Sequence, residues 1–176
     1  MIIKSLELSN YRNYENLNII LDDGINIFYG DNAQGKTNIL ESIYLCSTTK
    51  SHRGNKDKEI IRFGCNESHI RALFDKNGVD YQIDIHLRQD KSKGIAINGV
   101  KLKKAAELLG IANIILFSPE DLSIIKNGPQ DRRRFIDAEL CQLDKVSFYC
   151  SSGILTSSSM PTFSARAISM RVSNGG

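Results

Sequence analysis

Gly30 and Gly35 bracket a loop that closes with Lys36 and Thr37, giving G-x-x-x-x-G-K-T within "NIFYGDNAQGKTNILE". Glycines at these two positions let the backbone curl until several N–H groups converge, which suits phosphate oxygens. A lysine directly after the second glycine reaches the β- and γ-phosphates of a nucleotide, and the next hydroxyl ligates Mg²⁺. The spacing therefore offers nucleotide binding, with Thr37 as the metal ligand. A glycine-rich turn with a merely solvated Lys36 is the competing reading.

Such a loop works only between a strand and a helix, so its flanks decide. "INIFYG", ending in Gly30, is a short apolar run of the kind that forms a buried strand. On the far side, Ile39, Leu40, Ile43 and Tyr44 recur at helical spacing, which predicts a helix from near Lys36 to about Ser47. A helix starting there adds the positive end of its dipole to the cradle.

The rest of the chain reads as strands with a few helices. Residues 3–9 alternate apolar and polar side chains, and "NLNIIL" predicts a second strand before the Asp22-Asp23-Gly24 turn. Val79, Tyr81, Ile83, Ile85 and Leu87 alternate after the turn ending Asn77-Gly78, the pattern of a β-hairpin with the run His69–Phe74. Asn98-Gly99 repeats the device, setting Ile95 and Ile97 against Val100 and Leu102. "LKKAAELLG" predicts a short helix ending at Gly110, "NIILF" a buried strand, and Pro129 the start of a helix carrying Phe135, Ile136, Leu140 and Leu143. The expected fold class is α/β, with an antiparallel β side layer on the core that holds the loop.

With 176 residues the chain fits one ordinary domain, and a net charge of +3 permits a phosphate or nucleic-acid partner without demanding one. The N-terminal apolar run is broken by Lys4 and Glu7, against a signal peptide, and no run reaches the ~18 apolar residues of a membrane span. Cys46, Cys65, Cys141 and Cys150 form no C-x-x-C pair, so free thiols and a cytoplasmic location are expected. Residues 146–176 are serine-rich, lack Lys, Asp and Glu, and hold no period; they are expected to be disordered or out of frame with the 1–145 body.

With Asn32 in the loop and "TNILESIY" after it, the stretch resembles the loops of chromosome-maintenance and recombination ATPases. "LSNYRNYENL", "KSHR" at 50–53 and "FSPEDLSIIKNGPQDRRRFIDAEL" at 117–140 narrow the resemblance to the RecF family of bacterial DNA replication and repair proteins. The resemblance implies a P-loop ABC-type ATPase lobe in residues 1–145, truncated before the helical lobe and the second half of the head. It also implies ATP and Mg²⁺ as cofactors, single-stranded and gapped duplex DNA as partners, an ATP-dependent homodimer, recombination-mediator proteins, recombinase loading and a place in the SOS response.

Carried over by position, Asn32, Gly35, Lys36 and Thr37 hold the triphosphate and metal, while Asp31, Ala33 and Gln34 complete the cradle through backbone N–H groups. Ala33 stands where related loops often carry glycine, which matters only if that position needs a positive φ. Arg53 falls where such heads place a loop arginine near nucleotide or DNA; a solvated charge is the alternative. Arg132, Arg133 and Arg134 lie about 100° apart around a helix, so they cannot all face one ligand, and they are candidates for DNA or an interface. His69 and His86 fall at polar-facing strand positions with no metal-ligand spacing.

The chemistry of hydrolysis is another matter. No run of four apolar residues is followed by Asp-Asp or Asp-Glu, "NIILF" being followed by Ser-Pro, and neither a Leu-Ser-Gly-Gly-like nor a Ser-x-Gly-Gln-like segment occurs. In the resembling family these lie in the C-terminal half, so ATP binding with negligible turnover is expected. Two other functions compete: an unstable remnant that binds no ligand tightly, and a generic P-loop nucleoside kinase or GTPase. The last has no Asn-Lys-x-Asp motif to support it.

Overall fold

A computed structural model describes residues 1–53, 56–118, 128–130, 132, 133, 135 and 136. Six strands form a single antiparallel sheet: β1 (Ile2–Tyr11), β2 (Tyr14–Ile20), β3 (Glu67–Lys76), β4 (Val79–Arg88), β5 (Gly94–Ile97) and β6 (Val100–Lys101), in the order β2-β1-β3-β4-β5-β6. Two hairpin turns behave as their sequences predict. Asn77 and Gly78 take φ of 57° and 80°, and Asn98 and Gly99 take 49° and 80°, the left-handed pairs that match strand twist.

One face of the sheet is the core. Leu6, Leu8, Ile70, Ala72, Ile83, Ile85 and Leu87 are buried and meet in register, Leu8 opposite Ile70 and Ile70 opposite Ile85. Between Ile3 and Ser5 the β1–β3 register shifts, and this irregularity keeps both Ile3 and Leu6 on the buried face although they are an odd number of residues apart. The opposite face carries charge: Arg71 lies between Glu7 and Asp84 across three strands, its Nε 2.7 Å from Asp84 Oδ1.

Helix α1 (Lys36–Thr48) packs its apolar stripe, Ile39, Ile43 and Cys46, into the same core. Burial pushes the Cys46 thiol far above its ordinary value. The helix ends at Thr49, whose φ of 63° closes it with an N–H bond to the Leu45 carbonyl. A short helix, α2 (Asp57–Ile60), follows, tied to the hairpin region by Lys93, whose Nζ lies 3.0 Å from Asp57 Oδ2 and also donates to the Thr49 carbonyl.

Two expected buried strands are absent. Residues 25–29 pair with no strand among the described residues, and Ile25, Ile27 and Tyr29 are 85%, 69% and 90% exposed. "NIILF" likewise joins none of the sheet's described strands, with Ile115 and Phe117 exposed while Ile114 packs against the core. Continuous apolar runs need covering on both faces, and no described strand offers either run a ladder. The helix expected at "LKKAAELLG" is a 3₁₀ turn, Ala105–Leu108. Pro129, Gln130, Arg132, Arg133, Phe135 and Ile136 are helical, as their pattern predicts. Arg134, Leu140, Leu143 and the 146–176 tail fall outside the described residues.

Candidate functional site

The loop between the unpaired run and α1 takes the shape its glycines allow. Gly30 and Gly35 have φ of 138° and 99°. The φ at 35 demands glycine, and a Cβ there, 2.7 Å from the Asn13 amide and 2.8 Å from the Tyr14 hydroxyl, would also displace the ends of those two side chains. Ala33 also takes a positive φ, 63°, the conformation in which an alanine is disfavoured relative to glycine. The loop thus stores strain at its centre.

Helix α1 begins at Lys36 with no side-chain cap and no acidic residue in its first turn. The Asn38 and Ile39 N–H groups donate to the Gly35 carbonyl at 2.8 and 3.2 Å, which leaves the N–H groups of Lys36 and Thr37 at the open start of the helix. Lys36 folds its ammonium into the mouth of the loop, 2.6 Å from both the Gly30 and Asp31 carbonyl oxygens. Asn32, Ala33, Gln34, Gly35, Lys36 and Thr37 line an open cleft of about 190 Å³, joined there by Asn38 and Arg53. Arg53, from the loop after α1, donates from Nη1 to Asn38 Oδ1 at 3.2 Å. Gly30 and Asp31, expected in the cradle, do not line this cleft and instead accept the Lys36 ammonium through their carbonyls, and Arg132 and Arg133, both exposed, do not line it either.

Behind the cleft lies a group of residues that the motif reading passed over. Asn13 Nδ2 donates to the Gln34 carbonyl at 3.1 Å, and Asn38 Nδ2 donates to Asn13 Oδ1 at 2.8 Å. Glu41, on α1 and fully buried, accepts Arg12 Nε at 3.0 Å and Arg12 Nη2 at 2.7 Å, the two-pronged pairing of guanidinium with carboxylate. Ser51 Oγ donates to Glu41 Oε1 at 2.5 Å, and Arg53 Nη1 lies 3.8 Å from Oε2. Burial pushes the Glu41 carboxyl up, but the Arg12 and Ser51 hydrogen bonds and the charges of Arg12 and Arg53 outweigh it, leaving the group below its ordinary value. The neighbouring Tyr11 phenol is held above its ordinary value, by burial first and then by the Glu41 charge. The sequence signals for this group were "NYRNYENL", "TNILESIY" and "KSHR", each read there as a mark of kinship.

The cleft suits a triphosphate with its metal. Positive φ at the glycines opens the cradle, α1 starts there without a side-chain cap, and Lys36 and Arg53 supply cations from two sides. Thr37 is exposed at the first turn of α1, so its hydroxyl can enter a Mg²⁺ shell completed by phosphate and water.

Comparison with known proteins fits this geometry. A family profile described as an AAA domain matches residues 5–164, and the chain belongs to that family of P-loop ATPases. Within it the resemblance is to RecF. The chain is 66% identical over 146 residues to the DNA replication and repair protein RecF of Agathobacter rectalis, covering 83% of this chain and 40% of that one. The Lachnospira eligens RecF is 64% identical over the same shares. A structure of the recombination mediator protein RecF, in a form named for ATP, superposes with TM-score 0.78 at 37% identity, over 84% of this chain and 41% of that one. An SMC ATPase structure shares the fold, with TM-score 0.62 at 22% identity over 78% of this chain and 99% of that one. The chain thus has the fold of the N-terminal part of a RecF- and SMC-type ATPase head, and spans about 40% of the RecF proteins it matches.

Proposed function

We propose that the chain binds ATP with Mg²⁺ on the Gly30–Thr37 loop and serves DNA replication and repair as part of a RecF-type ATPase head. The placement of Lys36 carries this reading: its ammonium sits in the loop mouth beside the uncapped start of α1, with Arg53 on the same cleft. Lys36 and Arg53 balance phosphate charge, the loop N–H groups orient the oxygens, and Thr37 holds the metal that neutralises the β- and γ-phosphates. No Asp or Glu lines the cleft among the described residues, so turnover is negligible on this chain alone.

Nucleotide at one hundred times its dissociation constant stabilises the folded chain by about 2.7 kcal/mol. Thermal unfolding with and without Mg-ATP measures this, and Lys36→Ala removes it. A hydrolysis rate that disappears in Lys36→Ala would overturn the no-turnover part alone.

The finer reading follows from the resemblance, and the relatives' names reach only as far as DNA replication and repair and recombination mediation: contact with single-stranded and gapped duplex DNA through Arg53, Arg132, Arg133 and Arg134, an ATP-dependent homodimer, recombination-mediator partners that help load recombinase, the SOS response and a cytoplasmic site of action. A second reading, an unstable remnant without ligand affinity, draws on the exposed Ile25, Ile27, Tyr29 and Phe117. The same thermal measurement separates the two, since the remnant shows no nucleotide-dependent shift.

A further inference from the structure

We infer that Glu41 is a positioning residue for the phosphate cleft, a buried anion that aims Arg53 at the outer phosphates and locks the β1–β2 turn against the loop. The inference rests on the triphosphate reading above and adds a residue that touches no phosphate.

A carboxylate behind an anion site repels the ligand, and a fully buried one is costly unless its partners are well placed. Glu41 meets that demand with both oxygens. Arg12 grips it from the β1–β2 turn, Ser51 donates from the loop after α1, and Arg53 approaches at 3.8 Å. Two separate segments, the β1–β2 turn and the loop after α1, therefore converge on one helix position, a single turn beyond Lys36 and Thr37.

Arg12 reaches it from a strained backbone, φ 52°, in a region that long side chains rarely occupy. Its backbone N–H is fixed in turn by the Ile60 carbonyl at 2.8 Å. Arg53 contacts both Asn38 Oδ1 and Glu41 Oε2 through one terminal nitrogen, Nη1. From Asn38 the chain of hydrogen bonds runs through Asn13 to the Gln34 carbonyl of the loop itself. Glu41 thus fixes the two ends of a network whose middle is the cradle wall, and the arginine at its mouth is ordered before any phosphate arrives.

Charge and positioning predict opposite signs, which makes the inference testable. Removing a nearby negative charge alone tightens anion binding; removing a positioning carboxylate loosens it. Binding of Mg-ATP and of inorganic tripolyphosphate to the full chain is measured by calorimetry for wild type, Glu41→Gln, Arg53→Ala and the double variant, with folding checked by circular dichroism. Both single variants are expected to bind about tenfold more weakly, and the double variant no more weakly than Arg53→Ala. Equal or tighter binding by Glu41→Gln, or losses that multiply in the double variant, overturns the positioning role. If Glu41→Gln does not fold, Ser51→Ala carries the same cycle, with a loss of about threefold that vanishes in the Arg53→Ala background. Absence of binding by wild type, matched by Lys36→Ala, is a different result: it removes the triphosphate reading and this inference with it.

Discussion

The sheet and the segment that leads into the phosphate loop use similar side chains to opposite ends. In β1, β3 and β4 the apolar residues of the inner face have neighbours in register, and Leu6, Ile70, Ala72, Ile83, Ile85 and Leu87 are wholly buried. Residues 25–29 carry Ile25, Ile27, Phe28 and Tyr29, yet have no ladder among the described residues, and only Phe28 packs against the core. Folding energy is therefore concentrated in the laddered half. The loop beyond that run is strained at Ala33 and rests on a foundation it does not itself stabilise.

The sharpest way to break this contrast is Phe74→Ala. Phe74 is 2% exposed on β3, and its loss is expected to cost about 3–5 kcal/mol, read from the urea midpoint. A loss below about 1 kcal/mol would mean that the sheet does not hold the fold.

Acid should act on the laddered half next. The Gly78 N–H and Lys4 hold Asp75 below its ordinary value. For Asp84 and Glu41 burial works upward, but hydrogen bonds from Gln82 and Arg71, and from Arg12 and Ser51, prevail and lower both. A carboxyl lowered in the fold contributes stability present above its unfolded value, about 4, and lost as pH falls through the folded one. His69 is lowered, by burial first, so its protonation below about pH 6.5 favours the unfolded chain. Unfolding midpoints should therefore drop gently below about pH 6.5 and steeply below about pH 4; a flat profile would contradict the placement of these groups.

The loop answers to smaller changes. Ala33→Gly relieves a left-handed alanine and should stabilise the chain by about 0.5–1 kcal/mol, a gain that a purely entropic glycine effect would reverse in sign. Ile27→Ser, at a side chain 69% exposed, should stay within about 0.5 kcal/mol. A large loss there would show that the run is packed, and the contrast with Phe74 would fail.

These differences also explain what could be read from the residues alone. Asn77-Gly78 and Asn98-Gly99 dictate hairpins locally, and alternation in β3 and β4 names the buried face, so the sheet was legible. The helix from Lys36 was legible for the same reason. Residues 25–29 and "NIILF" were misread because a continuous apolar run states a need for partners without saying whether the chain supplies them. At the site, the motif announces Lys36 and Thr37 by spacing, whereas Glu41, Arg12 and Ser51 are far apart in sequence and meet only once α1 lies on the sheet. Arg53 was a candidate by kinship, and folding brings it to the cleft. Ala33 carried its own condition, a positive φ, and the backbone meets it.

One thiol on α1 turns this architecture into a clock. Cys46 is fully buried and Cys65 is half-buried in an open cleft, so among the described cysteines an alkylating reagent meets Cys65 first. Cys46 reacts only when α1 lifts from the sheet, which makes its alkylation time a measure of how long the phosphate loop keeps its footing. A ligand held at the other end of the same helix lengthens that interval, and the protein reports its own occupancy through an atom that never meets the ligand.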